Sequence, residues 1–143
     1  MPSRRSGGDL SRTRGGARDQ IRLHAMKLAR YLHGSVVIED APEPALPPGG
    51  LLVQTEACGL CSGELVPWYM DRKEGGHVLG HEVAGRVIAS EDARFPMGTR
   101  VAPHHHAACG HCAFCASGRA VHCPQWRSTR LNPGGMAERF AVA

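Results

Sequence analysis

The sequence predicts a mainly β domain, a small irregular barrel or sandwich with short helical turns. Three observations carry this. Apolar and β-branched residues come in short runs; 10 Pro and 18 Gly among 143 residues punctuate those runs; and no run keeps a 3.6-residue apolar period for as many as about ten positions.

Residues 26–32 (MKLARYL) and 35–40 (SVVIED) read as two strands split at His33-Gly34, a hairpin-like break. The proline-rich 41–50 (APEPALPPGG) is a loop, and 51–57 (LLVQTEA) is the next strand. Residues 62–70 (SGELVPWYM) suit a turn or two of helix that Pro67 should interrupt. Residues 82–90 (EVAGRVIAS) alternate, with Val83, Gly85 and Val87 on one face and Ala84, Arg86 and Ile88 on the other. Residues 98–103 (GTRVAP) and 137–143 (AERFAVA) complete the strands.

A length of 143 residues fits one domain with a tail. The formal charge of +4 resides entirely in residues 1–25, where six arginines face Asp9 and Asp19. That Gly-, Ser- and Arg-rich extension buries too little apolar surface to offset its ordering entropy, so it is expected to be disordered, with the folded domain over 26–143. Translation from Met26 is an equally simple reading of the same boundary. The neutral body, and an arm with no aromatic residue interleaved for stacking, argue against a nucleic-acid partner. No apolar run approaches the roughly 20 residues that span a bilayer. Without an apolar leader the expected compartment is the cytoplasm, where six cysteines serve metal or chemistry more readily than disulfides.

Four of the six fall in one stretch: Cys109-x2-Cys112-x2-Cys115-x7-Cys123, within a lobe at about 104–124. Two-residue gaps let successive thiolates turn toward one centre, as a closed, structural zinc site requires. The same four sulfurs also suit an iron–sulfur cluster or disulfides, and spacing alone leaves these open. A second constellation joins ACGLCSGEL (57–65) to VLGHEVAG (78–85). There Cys61, His81 and Glu82 stand at predicted strand ends, a mixed sulfur, nitrogen and oxygen set that can keep a position free for water or substrate.

CGLCSGEL, GHEVAGRVIAS, the four-cysteine spacing and PGGMAERFAV, in that order, resemble the zinc-containing medium-chain dehydrogenases of the alcohol, polyol and threonine type. The resemblance runs through 26–143 and covers that family's N-terminal catalytic domain, a GroES-like irregular β-barrel with a zinc lobe. It implies two zinc sites. Cys61 and His81 would ligate a catalytic zinc, with Glu82 beside the metal; Cys109, Cys112, Cys115 and Cys123 would hold a structural one. Glu64 lines up with an acid that orients the ligand histidine. The implied reaction is zinc-activated oxidation of a small alcohol or polyol, with hydride leaving for NAD(P).

Three departures from the family pattern qualify this. The hydroxyl residue usual two positions after the cysteine ligand is Gly63 here, so Ser62 is the stand-in candidate for proton relay. The family's third protein ligand falls outside this sequence; Cys58 can substitute, although a buried core cysteine is the simpler reading. No two of the 18 glycines are separated by a single residue, so no G-x-G-x-x-G turn exists here and the dinucleotide-binding domain is expected to be missing. The expectation is therefore a truncated form, inactive alone, which needs a cofactor-domain chain or forms a homo-oligomer. The competing expectation is a non-enzymatic zinc-stabilised module or subunit. His104, His105 and His106 read as a solvated loop with a lesser prospect of ligation. His111 and His122 read as surface residues, Trp68 and Tyr69 as packing or a pocket wall, and His77 is unassigned.

Overall fold

The computed structural model describes residues 25–72 and 76–143; the Arg-rich extension, apart from Ala25, lies outside them. The chain is mainly β, as expected. β1 (Ala25–Leu32) and β2 (Ser35–Pro42) form an antiparallel hairpin closed at Leu32 and Ser35. His33 and Gly34 adopt φ of 49° and 75°, the left-handed pair whose turn matches the twist of the flanking strands. β2 runs two residues into the expected loop and ends at Pro42. It is an edge strand, where a residue without an N–H is tolerated.

β3 (Leu51–Gly59) is central to a second sheet, flanked by β5 (Glu82–Ser90) and β7 (Arg139–Val142), with the two-residue β6 (Arg100–Val101) outside β5. The two-residue β4 (His77–Val78) extends the first sheet on the far side of β1. β5 has the expected bounds and faces: Val83, Gly85 and Val87 are buried, and Arg86 is exposed. Gly85 lies where β5 crosses the bulged β3, and a Cβ there would stand 2.2 Å from the Gln54 carbonyl oxygen.

Pro67 does not interrupt a helix. It occupies the first turn of α1 (Pro67–Asp71), where its missing N–H costs nothing, and a separate 3-10 turn (Ser62–Leu65) precedes it. The other helices, α2 (Ala113–Ala116) and α3 (Pro124–Ser128), are equally short.

The run from Met136 to Val142 joins the two sheets. Ala29 N–H donates to the Met136 carbonyl and Glu138 N–H to the Lys27 carbonyl, whereas Thr55 N–H donates to the Glu138 carbonyl. From Arg139 onward the same run pairs with β3. Among the described residues the strands form two sheets joined along this seam, without a closed ring, because β4 and β6 are too short to extend the ladders.

Phe140 lies on the seam, fully buried with Leu51, Val53, Val83, Val87 and Leu131. A smaller cluster of Met26, Leu28, Val78 and Ala137 fills the other side. Phe140→Ala is expected to lower the unfolding free energy by about 3–5 kcal/mol in chemical denaturation, the cost of a buried aromatic ring and its cavity. A loss under about 1 kcal/mol would show that this packing does not hold the seam.

Candidate metal centres

The first centre arises from strand pairing. β3 and β5 are antiparallel with Gly59 opposite Glu82, so the end of one strand and the start of the other share an edge. Cys61 follows β3 and His81 precedes β5, and that edge gathers ligand atoms of Cys61, His81 and Glu82 within 4.8 Å of one another.

Glu64 lies beneath them, with its side chain 1% exposed. Its Oε1 accepts the Gly80 N–H at 2.9 Å and its Oε2 the Cys61 N–H at 3.3 Å. One carboxylate therefore ties together the two backbone segments that carry Cys61 and His81. The His81 Nδ1 stands 3.7 Å from Oε1, close enough for charge interaction but too far for a hydrogen bond.

Gly80 is fixed from a third direction. The Gly135 N–H donates to its carbonyl and the Met136 N–H to that of Leu79. Gly80 has φ of 83°, and a Cβ would stand 2.6 Å from the Cys58 Sγ and 2.7 Å from the Met136 nitrogen. No side chain fits. Cys58 fills this crossing, its thiol pushed up by burial and then by the charge of Glu64, and it stands outside the group at Cys61.

The second centre holds Cys109, Cys112, Cys115 and Cys123, also with ligand atoms within 4.8 Å. Sulfurs on a tetrahedron with bonds of about 2.3 Å must be about 3.8 Å apart. Cys109 and Cys115 are separated by 3.9 Å and Cys112 and Cys115 by 3.5 Å, so the donor set fits one such ion. All six cysteines are free thiols here, at variance with the disulfide reading.

Backbone N–H groups prepare these sulfurs for negative charge. The Cys109 N–H is the leading influence that holds Cys123 at about 6, and the Cys115 N–H lowers Cys112. Burial, then the shared proton with Cys112, pushes Cys115 up to about 11. Residues 107–122 contain no buried side chain, and Cys123 is the one fully buried member of the lobe. His111 and His122 are exposed, as expected.

The histidine run folds toward the first centre. The His105 ring stands 4.8 Å from that of His81, 4.7 Å from His104 and 4.1 Å from His106, and Trp126 stacks on His104 at 5.0 Å. Burial, followed by the charges of His106, His81, His104 and Arg130, lowers His105 to about 4 and keeps it neutral at physiological pH. None of the three histidines belongs to either metal-compatible group.

Two cavities meet at His81 and His105. One of about 600 Å³ has the small apolar walls Ala57, Val83, Ala84 and Ala102; the other, of about 350 Å³, reaches Tyr69, His77, His106 and Arg130. Ser62 is exposed and lines neither cavity. A Cβ on Gly63 would stand 3.7 Å from the Cys61 Sγ and 3.4 Å from the Tyr69 ring, so position 63, not 62, faces the centre.

Residues 47–143 match the family model described as the alcohol dehydrogenase GroES-like domain. The chain belongs to this family. Curated relatives of this GroES-like domain include L-threonine 3-dehydrogenase of Xanthomonas axonopodis pv. citri, 29% identical over 79% of this chain and 35% of the relative. D-altritol 5-dehydrogenase of Agrobacterium fabrum is 31% identical over 84% of this chain and 36% of its own length. Among solved structures, the acetophenone reductase of Geotrichum candidum in complex with NAD superposes with a TM-score of 0.68 at 27% identity, over 83% of this chain and 38% of that one. The chain spans about a third of the length of the curated relatives it matches. Among the described residues no helix of the GroES-like domain is long and apolar enough to cross a membrane.

Sequence reasoning did not single out Arg130 or the Gly135-Met136 contact. Neither carries a spacing signal, since both reach the site through folds of the chain more than 40 residues from His81.

Proposed function

We propose that the GroES-like domain supplies the metal-bearing side of a zinc-dependent, NAD(P)-linked dehydrogenase of small secondary alcohols. The observation that carries this is the convergence of Cys61, His81 and Glu82 at the β3–β5 edge, with Glu64 anchoring both ligand-bearing segments. The relatives named for threonine and altritol dehydrogenation, each an oxidation at a secondary carbinol, support the substrate class.

A zinc ion held there would polarise an alcohol oxygen and lower its pKa. Cys61 contributes the thiolate, and His81, with Nδ1 turned toward Glu64, contributes Nε2. Glu82, exposed at the head of β5, is a carboxylate that can yield its place to water or substrate. Glu64 holds the imidazole orientation through the Gly80 backbone and through its charge near Nδ1. Gly63 leaves this edge without the hydroxyl that would carry a proton away beside Cys61. The four-cysteine lobe contributes a structural zinc site. The 143 residues contain no G-x-G-x-x-G spacing, so none of them is assigned to the nicotinamide cofactor.

Metal analysis of purified protein tests the two-site reading. The native chain is expected to hold about two zinc equivalents and Cys61→Ser about one, with the folded circular dichroism spectrum retained. One equivalent in both proteins, both of it lost on Cys112→Ser, would leave the lobe as the sole metal site and defeat the catalytic reading.

A further inference from the structure

The two cavities that share His81 and His105 differ in chemistry. The larger presents small apolar side chains. The smaller presents Arg130 and four imidazoles, those of His77, His81, His105 and His106, and among the described residues no carboxylate lines it. Glu64, the nearest acid to His81, is covered, and both of its oxygens accept backbone N–H groups.

Arg130 commits one edge of its guanidinium to the protein. Its Nη1 donates to the Thr129 carbonyl at 2.6 Å and stands 3.0 Å from the His106 Nδ1. The His106 Nδ1 also stands 3.0 Å from the Thr129 carbonyl oxygen, so Arg130, the Thr129 carbonyl and His106 form one polar triangle. Arg130 has no ion-pair partner among the described residues, and its Nε and Nη2 make no hydrogen bond to them. A guanidinium anchored on one nitrogen, with the rest of its fork uncommitted, suits two-point recognition of a carboxylate or phosphate. A volume of about 350 Å³ admits a small ligand only.

We infer that this cavity selects a small hydroxylated substrate bearing an oxyacid anion, carboxylate or phosphate, with Arg130 as the residue that sets this specificity. The inference rests on the reading that Cys61, His81 and Glu82 form a metal centre beside the cavity. The reacting hydroxyl then lies toward His81 and the anionic group toward Arg130.

The test uses the full chain, with and without bound Co²⁺, and three probes of similar size: glycerol, D-glycerate and glycerol 3-phosphate. Calorimetry reads affinity, and the thiolate-to-cobalt absorption separately reads the metal centre. At least one anion is expected to bind about tenfold or more tightly than glycerol, a difference of about 1.4 kcal/mol. The relative affinity of glycerate and glycerol 3-phosphate distinguishes a carboxylate from a phosphate site. Arg130→Gln should remove that advantage while leaving glycerol binding and the cobalt spectrum unchanged, and Arg130→Lys should restore part of it. Equal binding of glycerol and both anions to the native chain overturns the inference without any variant. So does anion binding that Arg130→Gln leaves intact, since the anion is then held by the metal or elsewhere. Absence of the cobalt band would instead defeat the metal reading, and the metal-free arm would still decide whether Arg130 selects anions.

Discussion

Chelating zinc from the four-cysteine lobe is expected to unfold residues 107–123 while the two sheets remain folded. The lobe has no apolar core of its own, because residues 107–122 bury no side chain and Phe114 and Val121 are 39% and 56% exposed. Its remaining internal support is a few turns of short helix, far below the length at which a helix is stable alone. Structural zinc in comparable four-ligand sites contributes roughly 10–16 kcal/mol at neutral pH, so its removal leaves nothing of similar size to hold the segment. Hydrogen exchange should show full loss of protection in 107–123 after chelation, with β3 and β5 still protected, and Cys123→Ser should reproduce the pattern. Unchanged protection would mean that the lobe is held by packing.

The pH dependence of this effect has a definite sign. Zinc binds thiolates, so affinity falls as pH falls. Cys115, raised to about 11 in the metal-free lobe, must release its proton to solvent for the metal to bind throughout the neutral range. Cys123, held at about 6, adds its own proton only below that value, so the decline should steepen in acid.

Glu64→Ala is expected to cost roughly 3–5 kcal/mol of stability in the metal-free protein and to weaken metal binding at Cys61 by about 10–100-fold. Each hydrogen bond to a charged acceptor contributes about 1.5–3 kcal/mol, and this substitution strands two donors, the N–H groups of Cys61 and Gly80. The metal penalty follows from losing the group that positions a ligand. Glu64→Gln keeps an oxygen for one of the two donors and should lose less on both counts. Denaturation of metal-free protein and chelator competition read the two effects separately; a stability loss with metal affinity unchanged would reduce Glu64 to a structural tie.

Much of the fold was legible because local chemistry and tertiary packing agree. The alternation at residues 82–90 gives β5 with its expected bounds, and His33-Gly34 gives the expected turn. Pro67 was misread because its effect depends on position: a proline that breaks a helix interior also starts one. β6 is shorter than its apolar pattern because it has a partner only at Gly85 and Arg86.

The site divides in the same way. Cysteine spacing announces the lobe, since its ligands lie within fifteen residues of one another. Glu64 was identified through its motif, but its geometry differs from a direct partner of the histidine: it holds the backbone on both sides of the centre. Gly63 was legible as a departure within the motif that carries Cys61, whereas Arg130 depends on which loops meet, and no single run of sequence records that.

The contact of Gly135 and Met136 with Leu79 and Gly80 also bears on how the protein comes into being. The lobe can close around zinc as soon as Cys123 has been synthesised, from residues near one another in the chain. His81 must wait for a segment more than fifty positions downstream before its backbone is pinned. During vectorial synthesis a lobe that binds zinc would therefore be complete before the backbone at His81 is pinned, the reverse of the order in which the two centres begin in the sequence.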